Sequence, residues 1–374
     1  MTVPETMRAA VLRGEEPRLE VMEVPTPAPR AGEVLVQVIA CGVCHTDLHV
    51  IKGEVAFPRP AVMGHEVSGR VVALGEGLEA SGLAVGDVVV SGFIMPCEQC
   101  EACRRGRDDL CSEFFAQNRL KGTLYDGESR LRMPDGSFLA MYSMGGLAEY
   151  AVIPAAAVTA VPEGLDPRHA AVLGCAGLTA YGAAFRQAAL EPGARVAIVG
   201  VGGIGSSLIP MALAAGAAQV IAVDIADGKL ARARELGATD TVNGREVDPV
   251  QEVRGLSGAG VDVAFEALGN PVTFRQAVDM LADGGRMVAI GIAAGRAEAS
   301  IEITPLVRRG YEIVGSFGGR TRTDLPEVVR LAADGRFRVD DLISRSYPLE
   351  EADTAYRDLD RGEITGRALI VMEG

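Results

Sequence analysis

A thiol and an imidazole stand some twenty residues apart near the start of this chain: Cys44 in the run CGVCHTDLH (41–49) and His65 in GHE (64–66). A soft thiolate and a neutral imidazole are the donors that a borderline-soft ion such as Zn²⁺ prefers. Cys175, in LGCAGLTAYG (173–182), is read as the third donor. Two Cys and one His leave one tetrahedral position open, where water or a substrate oxygen can be polarised, so the expected ion is a catalytic one. Taken singly, each residue reads as a small buried hydrophobe or a core histidine; the constellation reverses that.

A second group lies in PCEQCEACRRGRDDLC (96–111), where Cys97, Cys100, Cys103 and Cys111 follow the pattern C-x2-C-x2-C-x7-C. Four thiolates this close fill every position of a tetrahedral ion, which predicts a structural zinc lobe over residues 96–112. An iron–sulfur cluster is the competing reading of similar spacings. The charged, proline-started setting and the second zinc-type group favour zinc. The lobe has few apolar residues of its own, so metal binding would contribute directly to its folding.

A third motif, GVGGIG, sets Gly200, Gly202 and Gly205 in the G-x-G-x-x-G positions, with Gly203 inside the run. Alone the pattern is weak in a chain with 46 glycines. Here it follows a strand-like RVAIVG, opens a helical SSLIPMALAAG, and is answered by Asp224 at the end of the next strand-like run, QVIAVD. That context is a βαβ dinucleotide fingerprint: the glycines let backbone approach a pyrophosphate at a helix N-terminus, and the acid accepts from the adenosine ribose. A carboxylate there repels a 2′-phosphate, so NAD is expected over NADP.

These groups need two kinds of scaffold. Up to about residue 90 the chain runs in short apolar or alternating stretches cut by Gly and Pro, as in EVLVQVIACG and EVSGRVVALG, which predicts a barrel-like antiparallel domain. Residues 114–146 read as a long glycine-punctuated segment that shapes a cleft. HAAVLGCAGLTAYGAAFRQAA (169–189) reads as helical around Cys175, after which β-branched runs alternate with helical ones, giving a parallel doubly wound sheet. The expected domains are 1–175 with 320–374, and 176–319; 374 residues exceed what one core usually supports.

Composition narrows the function. A net charge of −14 argues against nucleic acid and anionic membrane surfaces, both of which demand excess Lys and Arg. With no apolar leader segment and no span of about 18 apolar residues, the expected compartment is cytoplasmic. In that reducing setting the seven cysteines are metal ligands or buried thiols and not disulfides.

With both cysteine groups and the fingerprint in order along nearly the whole chain, the sequence resembles the zinc-dependent alcohol dehydrogenases of the medium-chain dehydrogenase/reductase superfamily. The resemblance implies a GroES-like β-barrel-type catalytic domain beside a Rossmann coenzyme domain, two zinc ions per chain, NAD, and reversible oxidation of a primary or secondary alcohol to an aldehyde or ketone. It gives Cys44, His65 and Cys175 as catalytic zinc ligands, Glu66 as a carboxylate able to approach that metal, and Asp47 as the orienter of His65. Thr46 and His49 become a proton relay. His45 and Arg367 are implied at the pyrophosphate, Thr179 and Ile204 near the nicotinamide, and Lys229 beside Asp224 at the ribose. A homodimer or homotetramer is implied too, the long 114–146 segment resembling that of dimers. Cys175, where the polyol branch commonly carries a carboxylate, points to the alcohol dehydrogenase branch. The alternative is a thiol-adduct formaldehyde dehydrogenase or another zinc-dependent alcohol or ketone oxidoreductase of the superfamily.

Overall fold

Short apolar runs give, in a computed structural model, β1 (Thr6–Leu12), β2 (Leu19–Pro25), β3 (Glu33–Val43), helix α1 (His45–Ile51), β4 (Ala61–Val62), β5 (Val67–Leu74) and β6 (Val88–Ser91). There follow the one-turn helix α2 (Glu101–Arg104), β7 (Leu131–Arg132), β8 (Phe138–Met141), β9 (Tyr150–Pro154) and β10 (Val158–Ala160). The structure describes residues 3–293 and 295–372.

Beyond residue 175 the texture alternates: α3 (Ala176–Tyr181), β11 (Arg195–Val199), α4 (Gly203–Ala214), β12 (Gln219–Asp224), α5 (Asp227–Glu235), β13 (Asp240–Asn243), α6 (Pro249–Ser257), β14 (Val261–Glu266), α7 (Pro271–Asp279), β15 (Leu281–Ala289), α8 (Ile303–Arg308) and β16 (Glu312–Gly315). The chain ends through α9 (Thr321–Ala333), β17 (Ile343–Pro348), α10 (Ala352–Asp360) and β18 (Arg367–Val371). Among the described residues no helix is long and apolar enough to cross a membrane.

Two units result. One comprises the chain up to Leu178, Arg320–Ala333 and Ile343 onward; the other is Thr179–Gly319 with Asp334–Leu342. The short segment 334–342 thus belongs with the second unit, where the sequence reading had placed it with the first. Arg336 reaches the Ala214 carbonyl at 2.5 Å, and the Asp341 carbonyl accepts from Arg232. Nothing in the local sequence announces either contact.

In the first unit β3 is the spine. Its eleven residues, EVLVQVIACGV, are buried almost throughout, and both edges are paired: β5 along one, β9 against Glu33–Gln37 and β18 against Ala40–Val43 along the other. A near-continuous apolar run is what such two-sided burial requires. The second unit is a parallel sheet ordered β13-β12-β11-β14-β15-β16. Its core joins Ala197, Val199, Ile221 and Val223 on the central strands to Val253, Ala277 and Val278 on the covering helices.

Candidate active site and metal centres

Strand register gathers the first group. Val43 at the end of β3 pairs with Ala368 of β18, so Cys44 and Arg367 follow opposite each other. On the other edge Cys41 pairs with Val67, and the Gly42 amide donates to the Glu66 carbonyl at 2.8 Å, which brings His65 and Glu66 alongside. Gly42 is required there: a Cβ would collide with the Glu66 carboxylate. Cys175 arrives from a different direction. The expected continuous helix is broken at this residue (φ −125°, ψ −69°), between a tight turn over His169–Gly174 and α3. Gly174 packs directly on the Ser91 carbonyl, with no space for a side chain, and its own carbonyl accepts from Phe93 at 3.0 Å. Breaking the helix therefore turns the thiol inward instead of leaving it on a helix face.

The ligand atoms of Cys44, His65, Glu66 and Cys175 all lie within 4.8 Å of one another, and all four residues are buried. His65 Nδ1 meets the Asp47 carboxylate at 3.0 Å, and Asp47 also accepts from the Gly64 amide at 3.1 Å and from the Tyr356 hydroxyl at 3.0 Å. That anchoring places the proton on Nδ1 and leaves the Nε2 lone pair forward. His65 Nε2 and Glu66 Oε2 are buried without a partner. Orphaned acceptors beside two thiols are what a cation site looks like before its ion is drawn in, so the residues present fit zinc.

The Cys44 thiol is held well below its ordinary value, chiefly by the hydrogen bond from Cys175 and then, against burial, by His65. Burial pulls the His65 ring down, but Asp47 and Cys44 outweigh it and push it up to about 10. Burial raises Glu66, opposed by Arg367. Arg367 is itself 3% exposed, and its guanidinium is engaged with Glu66. The structure thus gives Arg367, the residue expected at the pyrophosphate, a carboxylate partner of its own. The seventh cysteine, Cys41, is buried in β3 and stands outside the group.

Thr46 Oγ1 lies 3.6 Å from Cys44 Sγ on the first turn of α1. His49, one turn on and exposed, meets Glu54 through Nδ1 at 2.5 Å, a partner that sequence reasoning missed. His45, also exposed, opens the same helix. Asp47→Asn should preserve the shape of the His65 anchor while removing its charge. The expected result is metal affinity lower by roughly 10- to 100-fold, read by competition against a chelator; unchanged affinity would contradict the orienting role.

In the second group the sulfurs of Cys97, Cys100, Cys103 and Cys111 also converge within 4.8 Å. Backbone amides point at them: Cys100 N to Cys97 Sγ at 3.3 Å, Cys103 N to Cys100 Sγ at 3.5 Å, and Cys97 N and Phe114 N to Cys111 Sγ, each at 3.4 Å. Such donors stabilise thiolates. Arg322 of α9 ties the lobe down through Asp108 and the Cys103 carbonyl, both at 2.6 Å.

In the second unit Gly200 (φ +90°) follows β11, and Gly202 caps α4, whose first turn carries Gly203 and Ile204. Gly205 abuts the Gly200 carbonyl so closely that any Cβ would part helix from strand. The Asp224 carboxylate accepts from the amides of Val201 at 2.9 Å and Ile225 at 2.7 Å, and Lys229 Nζ is 4.0 Å away. Thr179, 7% exposed, lies on α3 one turn after Cys175.

Comparison with known proteins points one way. The Alcohol dehydrogenase GroES-like domain family matches residues 30–163, and the Zinc-binding dehydrogenase family residues 203–334. An alcohol dehydrogenase of Geobacillus stearothermophilus is 35% identical over 371 residues, covering 98% of this chain and 99% of its own. A probable S-(hydroxymethyl)glutathione dehydrogenase 1 of Schizosaccharomyces pombe is 34% identical over 366 residues, covering 96% and 95%. The crystal structure of benzyl alcohol dehydrogenase from Acinetobacter calcoaceticus superposes with a TM-score of 0.92 at 31% identity, covering 99% of this chain and 100% of that one.

Proposed function

This chain belongs to the zinc-dependent alcohol dehydrogenases of the medium-chain dehydrogenase/reductase superfamily, and from that premise we propose that Cys44, His65 and Cys175 hold the metal at which it interconverts an alcohol and an aldehyde or ketone. The observation that carries the assignment is the convergence of these donor atoms around the unpartnered Nε2 of His65. When bound, zinc supplies Lewis acidity to the substrate oxygen and the nicotinamide accepts or returns the hydride.

The chain's own residues do the remaining work. Thr46 Oγ1, beside Cys44, accepts the alcohol proton as it gives up its own toward His49, on the same face of α1 one turn later, which passes a proton to solvent. Glu54 fixes the orientation of the His49 ring. The Glu66–Arg367 pair keeps a carboxylate beside the metal ligands without stranding a buried charge. Phe93 and Tyr142, with ring centroids 6.0 and 6.1 Å from that of His65, make an apolar wall that keeps water from the reacting atoms.

NAD is the proposed coenzyme, supported by Asp224. Oδ1 is filled by the amides of Ile225 and Ala226, but among the described residues Oδ2 accepts only from Val201 and retains a lone pair for a ribose hydroxyl, and the charge opposes a 2′-phosphate. Asp224→Ser should lower the ratio of kcat/KM for NAD⁺ over NADP⁺ by roughly tenfold or more; an unmoved ratio would remove Asp224 from the ribose. A homodimer is the proposed assembly, with a homotetramer as the alternative. Ile303 and Val307, both more than 70% exposed, lie on α8, the helix that leads into β16, the edge strand of the parallel sheet, a surface that a second copy would cover. A monomer in sedimentation equilibrium would dismiss this.

The test of the activity is a panel of primary, secondary and aromatic alcohols with NAD⁺, run beside a zinc determination. We expect alcohol-dependent NADH formation and a zinc ion for each of the two ligand groups. A chain with no zinc and no turnover would overturn the reading. S-(hydroxymethyl)glutathione belongs on the panel because the Schizosaccharomyces pombe relative carries that activity in its name.

A further inference from the structure

We propose that Arg119 is a specificity-determining residue that recognises a carboxylate on the alcohol or aldehyde substrate. The proposal rests on the reading of Cys44, His65 and Cys175 as the alcohol site. Arg119 ends a widened helical turn, Phe114–Arg119, in the 114–146 segment that the sequence predicts to shape a cleft. Its guanidinium carbon lies 4.0 Å from the ring centroid of Tyr142, 4.9 Å from Phe114 and 5.9 Å from Phe93. Tyr142 and Phe93 are also the two rings set edge-on to His65. The guanidinium is therefore one aromatic ring removed from the metal-binding imidazole, and these distances hold the two centres to about 10 Å or less.

The hydrogen bonding of this cation is incomplete. Nη1 of Arg119 is buried with no acceptor, and among the described residues no carboxylate pairs with it. Elsewhere in the same unit arginines near buried sites have acidic partners: Arg130 with Glu33, Arg322 with Asp108, Arg367 with Glu66. Aromatic faces attract a guanidinium but do not accept its N–H bonds as an oxygen does. An arginine cannot shed its charge, and its planar fork matches a carboxylate in two parallel bonds. Arg119 is half-buried, so a substrate carrying a carboxylate about one benzene ring from its carbinol carbon would meet the guanidinium while its oxygen faces the metal ligands. The shared chemistry is the carboxylate, whether on a small hydroxy acid or on a peptidic thiol adduct.

The test compares kcat/KM for 4-(hydroxymethyl)benzoate, benzyl alcohol and S-(hydroxymethyl)glutathione in the wild type, Arg119→Met and Arg119→Lys. In the wild type a carboxylate-bearing substrate should be preferred over benzyl alcohol. In Arg119→Met that substrate should lose roughly 10- to 100-fold, mostly in KM, the range expected for a charge-assisted bond, while benzyl alcohol stays within a few-fold. Arg119→Lys keeps a cation over the rings and loses the fork, so it should recover part of the loss; it also serves if the methionine variant folds poorly. A loss confined to 4-(hydroxymethyl)benzoate identifies a small hydroxy acid, and one confined to the glutathione adduct identifies the thiol-adduct source. Equal losses on charged and neutral substrates, or a wild type indifferent to the carboxylate, would overturn the proposal and leave Arg119 a clamp on three rings. A wild type inactive on every alcohol would instead sink the proposed function.

Discussion

Cys44→Ser is expected to leave a folded chain that still binds NADH but turns over alcohol at less than about a thousandth of the wild-type rate. The Cys44 sulfur shares one small volume with His65 and Cys175, and its thiol is the one held low enough to ionise readily. A serine hydroxyl stays protonated near neutral pH and offers a harder, weaker donor to zinc. Removing one of three protein ligands also unbalances the buried charges that remain, since Arg367 is held by Glu66 and drawn toward both Cys44 and Cys175. Zinc content should fall by one ion per chain, while fluorescence titration with NADH stays near wild type because the glycine-rich turn lies in the other unit. Full activity in a variant that has lost that ion would refute the assignment.

Cys100→Ser should act on stability and not on chemistry. Cys100 supplies a sulfur to the second group, accepts from the Cys103 amide, and caps the one-turn helix α2. Structural zinc contributes apparent binding energies of about 10–16 kcal/mol, as large as the entire folding free energy of an ordinary domain. We expect an unfolding midpoint at least about 10 °C lower, or insoluble protein, with chelator treatment of the wild type reproducing the effect. Any fraction that folds should keep its kcat, because no residue of this lobe belongs to the Cys44 group. A variant as stable as the wild type would show that the lobe does not depend on its metal.

How far the sequence reached depended on the range of each interaction. The four-cysteine lobe and the glycine-rich turn are local, with donors a few residues apart, and spacing alone exposes them. The apolar run of β3 was legible for the same reason. What escaped was assembled by register between distant segments. Tyr356 reaches Asp47 across 309 positions, and Arg367 reaches Glu66 across 301, because β18 lies beside β3 and α10 packs near its end. No pattern within a window of residues carries that information. The break at Cys175 was hidden differently: an Ala-rich run has high helix propensity, and only the close approach of Gly174 to Ser91 overrides it. Arg119 drew no notice because its surroundings are three rings from separate stretches of chain.

The position of β18 bears on how the protein is made. Every ligand of both groups leaves the ribosome before residue 179, whereas Arg367, the counter-ion of Glu66, follows far downstream of all of them. A nascent chain can thus be complete in donors yet carry an uncompensated carboxylate beside them, a state in which an arriving cation meets more negative charge than in the finished enzyme. Translationally stalled chains lacking β18 are where metal uptake should be sought, since there the ligands of both groups are present without the arginine that pairs with Glu66.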